Sequence, residues 1–320
     1  MKLAFFYAGQ GSQYAGMGKD LYEKYPTFRR AYDTADTAFD LKALCLEGPA
    51  EVLNRTRYTQ PCLVAFAAGI SALLAEAGIL PDMAAGLSLG EYSALYAAGV
   101  FSFSAVISLA VFRGLAMEEA AKGLDSAMTA VLGLPREELE KACAEAAKAA
   151  GGLAAIVNYN CPGQLVISGE KAAVEKAAEL AEAAGAKKVI SLKVSGPFHT
   201  ALMKPAGAAL AEEFRKVSFN SPRFPVVFNA TARPLEKGET IQELLVRQVQ
   251  SPVYLEDSIR YMAAAGVDTA VEIGPGRVIS GFIRKTVREM KVCCIEDCPS
   301  LEQTIAELKA RTSRPEGKPE

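Results

Sequence analysis

Short runs of consecutive apolar residues alternate with longer segments of helical pattern in the first part of the chain. A run at residues 2–8 that stops at Gly9 predicts a buried strand, and a second short apolar run covers residues 83–87. Helical patterns cover residues 19–39, 60–77, 89–98 and 102–121. Strands that alternate with helices of this length predict an α/β fold with a mostly parallel sheet.

The middle of the chain has a different order of elements. Strand patterns at residues 127–132, 153–159, 164–168 and 187–194 enclose helical patterns at 135–149 and 171–184. This order, β-α-β-β-α-β, is typical of the ferredoxin-like unit.

The alternation of strands and helices then resumes. A strand is predicted at 225–229, helices near 241–248 and 255–265, a strand at 269–273, and a helix after Gly276. We therefore predict a large α/β-hydrolase-like domain, formed by residues 1–124 and 194–312, with a small ferredoxin-like domain inserted at 125–193. Residues 313–320 are rich in Pro and charge and predict a flexible tail.

Composition excludes several classes of function. The 320 residues are 50% apolar and carry a formal net charge of −2 without a basic block, which gives no electrostatic footprint for nucleic acid. The most membrane-like segment, residues 63–75, is followed by Glu76 and predicts a buried core helix rather than a membrane span. The first residues have no cleavage site of a signal peptide, so we expect a cytoplasmic protein without membrane contact.

Cysteine usage predicts neither disulfides nor a metal centre. The seven cysteines are an odd number and include no CxxC pair, which favours reduced thiols. Cys293, Cys294 and Cys298 cluster in sequence, but their spacing fits no usual zinc pattern. We predict no metal and no cofactor.

A candidate nucleophile lies where the second predicted strand meets a helix. Residues Gly86-Leu87-Ser88-Leu89-Gly90 form a G-x-S-x-G, in which a tight strand-to-helix turn projects the serine hydroxyl and the glycines allow close approach of the backbone. A serine that caps the helix beside incidental glycines is the alternative reading.

A serine nucleophile needs a base, and His199 is the only histidine in the chain. It follows a Gly196-Pro197 turn between the last strand of the middle segment and the next helix, and catalytic groups are often found on such loops. A packed or surface histidine without a catalytic task is the alternative.

Two further features suggest an anion site and a carboxylate site. The loop Gly9-Gln10-Gly11 follows the first strand and can direct backbone N–H groups at an oxyanion, together with the N–H of Leu89. Arg113 is the only cation in a long apolar stretch and can clamp a carboxylate, unless it reaches the surface instead.

Seven motifs occur in the order found in the malonyl-CoA:acyl-carrier-protein transacylases of type II fatty acid synthesis, which the chain resembles from residue 3 to about residue 306. They are Gly9-Gln10-Gly11-Ser12-Gln13, Tyr58-Thr59-Gln60-Pro61, Gly86 to Tyr92, Arg113-Gly114, Asn158-Tyr159-Asn160, Gly196-Pro197-Phe198-His199 and Glu272-Ile273-Gly274-Pro275-Gly276.

The resemblance implies an acyltransferase in which malonyl-CoA acylates Ser88. His199 is then the base, and Arg113 binds the malonyl carboxylate. The N–H groups of Gln10 and Leu89 are implied to form the oxyanion hole. A main-chain carbonyl, matched at Gln248 with Gln250 close by, is implied to steady the imidazole.

The resemblance also implies partners, and the chain departs from the family at two positions. The implied partners are malonyl-CoA and an acidic acyl carrier protein, with the enzyme a monomer. Leu87 and Ala8 stand where the family usually has His and Pro, which affects local packing and loop geometry. Candidate docking cations are Lys187, Lys188, Lys193, Lys204, Arg284 and Lys285.

Two other functions compete with acyl transfer. A serine esterase or thioesterase shares the G-x-S-x-G and the order of Ser before His, but an α/β-hydrolase normally has an acidic residue at a strand end between them. The other alternative is a non-catalytic module that binds carrier proteins.

Overall fold

Two separate sheets organise the chain. The computed structural model describes residues 1–192 and 196–312, so Lys193 and the tail predicted at 313–320 lie outside the described residues. Residues divide into two compact units: unit 1 is Met1–Val111, Asn220–Val226 and the described residues from Met262 onward, and unit 2 is Phe112–Phe219 and Val227–Tyr261.

Five helices follow the first strand, and strands and helices are mixed in the rest of the described residues. In chain order the elements are β1 (Leu3–Tyr7), α1 (Lys19–Lys24), α2 (Pro26–Asp33), α3 (Leu41–Glu47), α4 (Ala50–Leu53), α5 (Thr56–Glu76), β2 (Met83–Gly86), α6 (Gly90–Ala97), α7 (Phe103–Ala121), β3 (Ser126–Leu132), α8 (Arg136–Ala150), β4 (Ala154–Cys161), β5 (Gln164–Glu170), α9 (Lys171–Ala183), β6 (Lys188–Ser191), α10 (Lys204–Phe214), α11 (Ile241–Val249), β7 (Val253–Tyr254), α12 (Leu255–Ala264), β8 (Thr269–Ile273), α13 (Val278–Thr286), β9 (Lys291–Ile295) and α14 (Cys298–Thr312).

The sheet of unit 1 is parallel throughout, as predicted. Its strand order is β2-β1-β8-β9, and every neighbouring pair runs in parallel. Strands β1, β2 and β8 are buried along their whole length, which explains why β1 and β2 contain no polar side chain except the Tyr7 hydroxyl. Strand β8 also buries Thr269 and Glu272. Because parallel strands end at the same edge, the loops that follow β1, β2 and β8 all leave from one side of this sheet.

The sheet of unit 2 is mostly antiparallel. Its order is β6-β3-β5-β4-β7, in which β3 pairs with β5 and β6, and the short β7 runs parallel to β4. Apolar residues of α8 and α9 form one core with this sheet. The elements follow the predicted order β-α-β-β-α-β; unit 2 also contains residues outside 125–193, and a separate inserted domain at those bounds stays a prediction.

The helix predicted at 19–39 is wrong. Two shorter helices, α1 and α2, replace it, because Pro26 occupies the first turn of α2 and the preceding Tyr25 is extended, with φ −112° and ψ 109°. The strand predicted at 225–229 is also wrong, since Val226 makes only an isolated parallel bridge with Ala84.

Helix α5 is the one described helix that is long and apolar enough to span a membrane. Most of its apolar window, 83%, is buried inside the protein. The prediction of a core helix here is confirmed. Pro61 lies in the interior of this helix.

Candidate active site

Ser88 lies on the tight turn between β2 and α6 in unit 1. Its φ is 51°, in the left-handed region that costs a residue with a side chain about 1–2 kcal/mol. The N–H of Leu87 donates to the carbonyl of Tyr7 in β1 at 3.0 Å, and the N–H of Glu91 donates to the carbonyl of Ser88 at 3.1 Å. The strand, the strained serine and the helix therefore form the nucleophile-elbow geometry that the G-x-S-x-G predicted.

The two glycines of this motif are required by close backbone contacts. A Cβ at Gly86 would lie 1.9 Å from the carbonyl carbon of Gly90, and a Cβ at Gly90 would lie 2.1 Å from the carbonyl oxygen of Tyr7. Neither neighbour is a flexible side chain that could move away. The turn around Ser88 thus depends on the absence of both side chains.

The loop after β1 lies against the same turn. A Cβ at Gly9 would come within 2.5 Å of the Leu87 carbonyl oxygen. Within the loop, the Gln10 side chain donates from Nε2 to Thr56 Oγ1 at 2.9 Å, and the Ser12 hydroxyl donates to the Gly9 carbonyl at 2.9 Å. These bonds fix the loop that carries the Gln10 N–H beside the turn that carries Ser88.

The N–H of Leu89 lies at the start of α6. Leu89 is the residue that precedes the first helical position, and the first N–H groups of a helix have no partner within the helix. The helix dipole adds partial positive charge at this end. Unit 1 therefore offers two loops whose backbone donors can stabilise an oxyanion near a strained serine.

A third loop, after β8, is held by a buried carboxylate. Glu272 is 1% exposed and accepts the N–H groups of Ile279 at 2.9 Å and Ser280 at 2.7 Å, in the first turn of α13. Burial raises the pKa of Glu272, while these hydrogen bonds act in the opposite direction. The carboxylate caps the helix and fixes the Gly274-Pro275-Gly276 segment.

The loop after β8 also contacts the loop after β1. A Cβ at Gly274, whose φ is 141°, would lie 2.4 Å from the Cβ of Ala8. This explains the glycine at this motif position. Ala8, which stands where the resembled family usually has Pro, therefore lies at a point of close packing between two loops.

His199 of unit 2 occupies a second strained turn. Its φ is 62°, and its side chain is buried, with 5% exposed. The turn is closed by two bonds: the Phe198 N–H donates to the Gly196 carbonyl at 2.9 Å, and the Thr200 hydroxyl donates to the Pro197 carbonyl at 2.6 Å. The turn thus fixes the backbone on both sides of the imidazole.

Gln248 connects the imidazole to Arg113. The Nδ1 atom of His199 lies 2.9 Å from the main-chain oxygen of Gln248, and because a carbonyl only accepts, Nδ1 carries the proton. The Oε1 atom of the Gln248 side chain accepts from Arg113 at 3.0 Å. Gln248 is fully buried on α11, and Arg113 is 1% exposed on α7.

The ambiguity between the two glutamines is settled by these contacts. The Gln250 side chain donates to the Val246 carbonyl at 3.1 Å and packs beside Gly207. Gln248 is therefore the residue whose main chain holds the imidazole. Arg113 is buried in this cluster and does not reach the surface.

The imidazole is neutral at physiological pH. Burial, and after it the positive charge of Arg113, lower the pKa of His199 from its ordinary value of 6.5 to about 4. Hydrogen bonds to the backbone at Gln248 and Ser251 act in the opposite direction but do not prevail. With the proton on Nδ1, the Nε2 atom carries a lone pair that can accept a proton.

Comparison with known proteins identifies the family. The acyl transferase domain matches residues 4–312. The malonyl CoA-acyl carrier protein transacylase of Bacillus subtilis is 43% identical over 310 residues, which cover 96% of this chain and 98% of that protein. The chain belongs to the malonyl CoA-acyl carrier protein transacylases. It is an acyltransferase, and the predicted family and class of enzyme are confirmed.

Solved structures give the same result for the fold. A malonyl-transacylase in complex with the acyl-carrier protein of a type II PKS superposes with a TM-score of 0.93 at 40% identity, covering 96% of this chain and all of that one. The transacylase of Streptococcus pneumoniae has a TM-score of 0.90 at 45% identity, with the same coverage. The α/β fold class is thereby confirmed.

The predicted site residues fall into two local groups. Gln10, Ser88 and Leu89 belong to unit 1, on loops that contact one another. Arg113, His199 and Gln248 belong to unit 2 and are joined by hydrogen bonds. Their catalytic roles remain predictions.

Sequence reasoning missed two supporting residues. Glu272 was visible only as part of a motif, and Thr56 lay outside every motif. Their tasks, capping α13 and holding the Gln10 side chain, depend on contacts over 7 and 46 positions. An acidic residue just before Gly-Pro-Gly and a helix is a signal that could have suggested the cap. The partner of Gln10 had no such signal.

The Asn158-Tyr159-Asn160 motif is held by a stack of side chains. The Tyr159 ring lies 5.0 Å from that of Tyr254 at an interplanar angle of 16°, and the Arg136 guanidinium lies 4.2 Å from the Tyr159 ring centroid. Arg136 in turn pairs with Asp257 at 3.3 Å. The stack joins β4 to β7 at the part of β4 whose register with β5 shifts, between Ile156 and Asn158 and between Tyr159 and Cys161.

Proposed function

We propose that the protein transfers a malonyl group from malonyl-CoA to the phosphopantetheine thiol of an acyl carrier protein, in fatty acid biosynthesis. The observation that carries this proposal is the buried cluster of Arg113, Gln248 and His199 in a member of this family. A buried guanidinium beside the catalytic base is suited to an acyl group that ends in a carboxylate. The names of the relatives, one of them solved with an acyl-carrier protein, support the same substrates.

In the proposed mechanism Ser88 is the nucleophile and His199 the base. Nε2 of the neutral imidazole takes the proton of the Ser88 hydroxyl as its oxygen bonds to the thioester carbonyl carbon. The protonated imidazole then gives that proton to the departing CoA sulfur, which leaves a malonyl ester on Ser88. The carrier thiol attacks this ester by the reverse sequence, so the kinetics are ping-pong.

The oxyanion of each tetrahedral intermediate is assigned to the N–H groups of Gln10 and Leu89. The fixed loop after β1 and the N-terminal end of α6 support this assignment, because such donors need no reorganisation when charge develops. Arg113 is assigned to the malonyl carboxylate. Gln248 is assigned to orient both Arg113, through its side chain, and His199, through its main chain.

The carrier protein and the compartment belong to the same proposal. Lys187, Lys188 and Lys204 of unit 2 are exposed, as are Arg284 and Lys285 in the last turn of α13 in unit 1. These cations remain candidates for contact with an acidic carrier, and Lys193 lies outside the described residues. We place the enzyme in the cytoplasm and expect a monomer that binds neither nucleic acid nor membrane.

Intact-mass spectrometry with malonyl-CoA tests the covalent intermediate. We expect one malonyl group on the protein, lost on addition of holo acyl carrier protein, and no adduct with Ser88→Ala. Ser221→Ala, an exposed serine of unit 1, is the matched control and should be acylated like the wild type.

The same experiment separates the alternative functions. Rapid release of free malonate without an acceptor thiol would favour an esterase or thioesterase. A wild-type protein that gains no malonyl group would favour a non-catalytic module. Persistence of the adduct in Ser88→Ala would overturn the assignment of the nucleophile.

A further inference from the structure

In unit 2, His199, the proposed base, and Arg113, the proposed carboxylate clamp, both form a hydrogen bond with the buried Gln248. Arg113 is positively charged, and His199 becomes so when it takes a proton. Gln248 accepts from Arg113 through Oε1 at 3.0 Å and from His199 through its main-chain oxygen at 2.9 Å. Arg113 is 1% exposed and His199 is 5% exposed. Water therefore screens the interaction between these two groups poorly.

The reaction adds a second charge to this cluster. When His199 takes the serine proton it becomes an imidazolium beside a guanidinium that is already charged. Two like charges in a buried cluster oppose that protonation. Arg113 on α7 is the charged side chain that lowers the pKa of His199. Backbone hydrogen bonds at Gln248 on α11 and at Ser251 act in the opposite direction.

A carboxylate bound to Arg113 changes this balance. Its negative charge opposes the effect of the guanidinium at His199, so that protonation of the imidazole meets less repulsion. An acyl group without a carboxylate, such as acetyl, leaves the repulsion in place. The two kinds of substrate therefore meet a base of different strength.

We propose that Arg113 selects carboxylated acyl groups in the chemical step as well as in binding, because the substrate carboxylate makes His199 a stronger base. This inference rests on the proposed function, since it assigns the carboxylate to Arg113 and the proton to His199. It adds that the substrate helps to activate the base that deprotonates Ser88. Selectivity against acetyl groups should then persist at saturating substrate, in kcat.

The single histidine makes a direct test possible. In protein labelled with ¹³C in the histidine ring, the one imidazole signal belongs to His199. We would titrate it by NMR in the Ser88→Ala protein, which cannot be acylated, with saturating malonyl-CoA and separately with saturating acetyl-CoA. The expected result is a titration midpoint about one pH unit higher with malonyl-CoA, about a tenfold difference in basicity.

Arg113 variants test the origin of that difference. Arg113→Met removes the charge and should raise the midpoint in the free protein and abolish the difference between the two ligands. Arg113→Lys keeps the charge and should keep the low midpoint. If Arg113→Met does not fold, the comparison of the two ligands with Arg113 intact still decides.

Coincident midpoints with the two ligands, both bound to saturation, would overturn the inference. The proposed function is judged separately, by the malonyl adduct on wild-type Ser88. An adduct together with coincident midpoints removes only the inference, whereas the absence of an adduct removes the proposed function itself.

Discussion

The candidate catalytic residues of units 1 and 2 have similarly strained backbones, but different kinds of contact fix them in place. Ser88 and His199 both have positive φ, at 51° and 62°. In unit 1 close backbone contacts position Ser88, because parallel strands bring the loops together and glycines allow the loops to touch. In unit 2 one buried residue connects the other two: the Gln248 side chain accepts from Arg113, and the Gln248 main-chain oxygen accepts from His199.

The difference predicts how each region fails. A turn built from backbone contacts tolerates no added atoms, since neighbouring carbonyls cannot move aside. A cluster built from buried polar side chains is sensitive to the loss of a partner, because a buried group left unsatisfied costs about 1–3 kcal/mol, and more when it is charged. Added side-chain atoms should therefore be the damaging change in unit 1, and the loss of a hydrogen-bond partner the damaging change in unit 2.

The largest effect is expected for Gly86→Ala in unit 1. Its Cβ would lie 1.9 Å from the Gly90 carbonyl carbon, so the turn that carries Ser88 must move. We expect no measurable acylation by malonyl-CoA in intact-mass spectrometry and a loss of stability above about 4 kcal/mol, which is exceptional for one substitution.

Gly281→Ala is the control for that experiment. Gly281 lies within α13, and a Cβ there meets nothing within 4 Å. Acylation should be unchanged, and the stability should rise by up to about 1 kcal/mol from the better helix propensity of alanine. Normal acylation of Gly86→Ala would show that the turn is not built as the contacts indicate.

His199→Ala in unit 2 should have the next largest effect. Loss of a positioned acid–base group lowers the rate of acylation by about 10² to 10⁴. Rapid-quench measurement of adduct formation gives this rate directly. Unlike Gly86→Ala, the variant should keep Ser88 in place and retain slow acylation; a rate within threefold of the wild type would exclude His199 as the base.

The same contrast explains how much the sequence could predict. The turn around Ser88 was predictable because its determinants lie within five consecutive residues. The cluster of unit 2 joins positions 113, 199 and 248, which no local pattern connects. Arg113 was found as the only cation of an apolar stretch, whereas Gln248 needed the family resemblance for its role. His199 was found by composition, since the chain has no other histidine.

The fold shows where local patterns fail. Buried strands such as β1 and β8 were found because each is a short, mainly apolar segment that ends at a glycine. The helix predicted at 19–39 missed the break that Pro26 causes, and the strand at 225–229 was too weakly paired to form. In the first case a proline ends the helix despite the helical pattern, and in the second the apolar run lacks a strand to pair with along its length.

Arg113→Ala should change selectivity more than it changes overall chemistry. Charge-assisted hydrogen bonds are each worth about 1.5–3 kcal/mol, so transfer of malonyl should fall by about 10- to 100-fold relative to transfer of acetyl. Steady-state rates with both acyl-CoA substrates and the carrier protein measure this ratio. Equal losses with the two substrates would contradict the carboxylate clamp.

The smallest effect expected is the acid sensitivity that His199 gives to the stability of the protein. Its pKa is about 4 when folded and 6.5 when exposed, so between these values the unfolded chain binds a proton that the folded protein does not. Stability from this group is therefore complete above pH 6.5 and is lost as pH falls toward 4, by at most about 1.4 kcal/mol for each pH unit. Urea unfolding of the wild type and His199→Gln at pH 7, 6, 5 and 4.5 isolates the effect, because the variant lacks the titrating group. The wild type should lose stability relative to the variant across this range, and parallel curves would show that the imidazole is not held neutral by burial and Arg113.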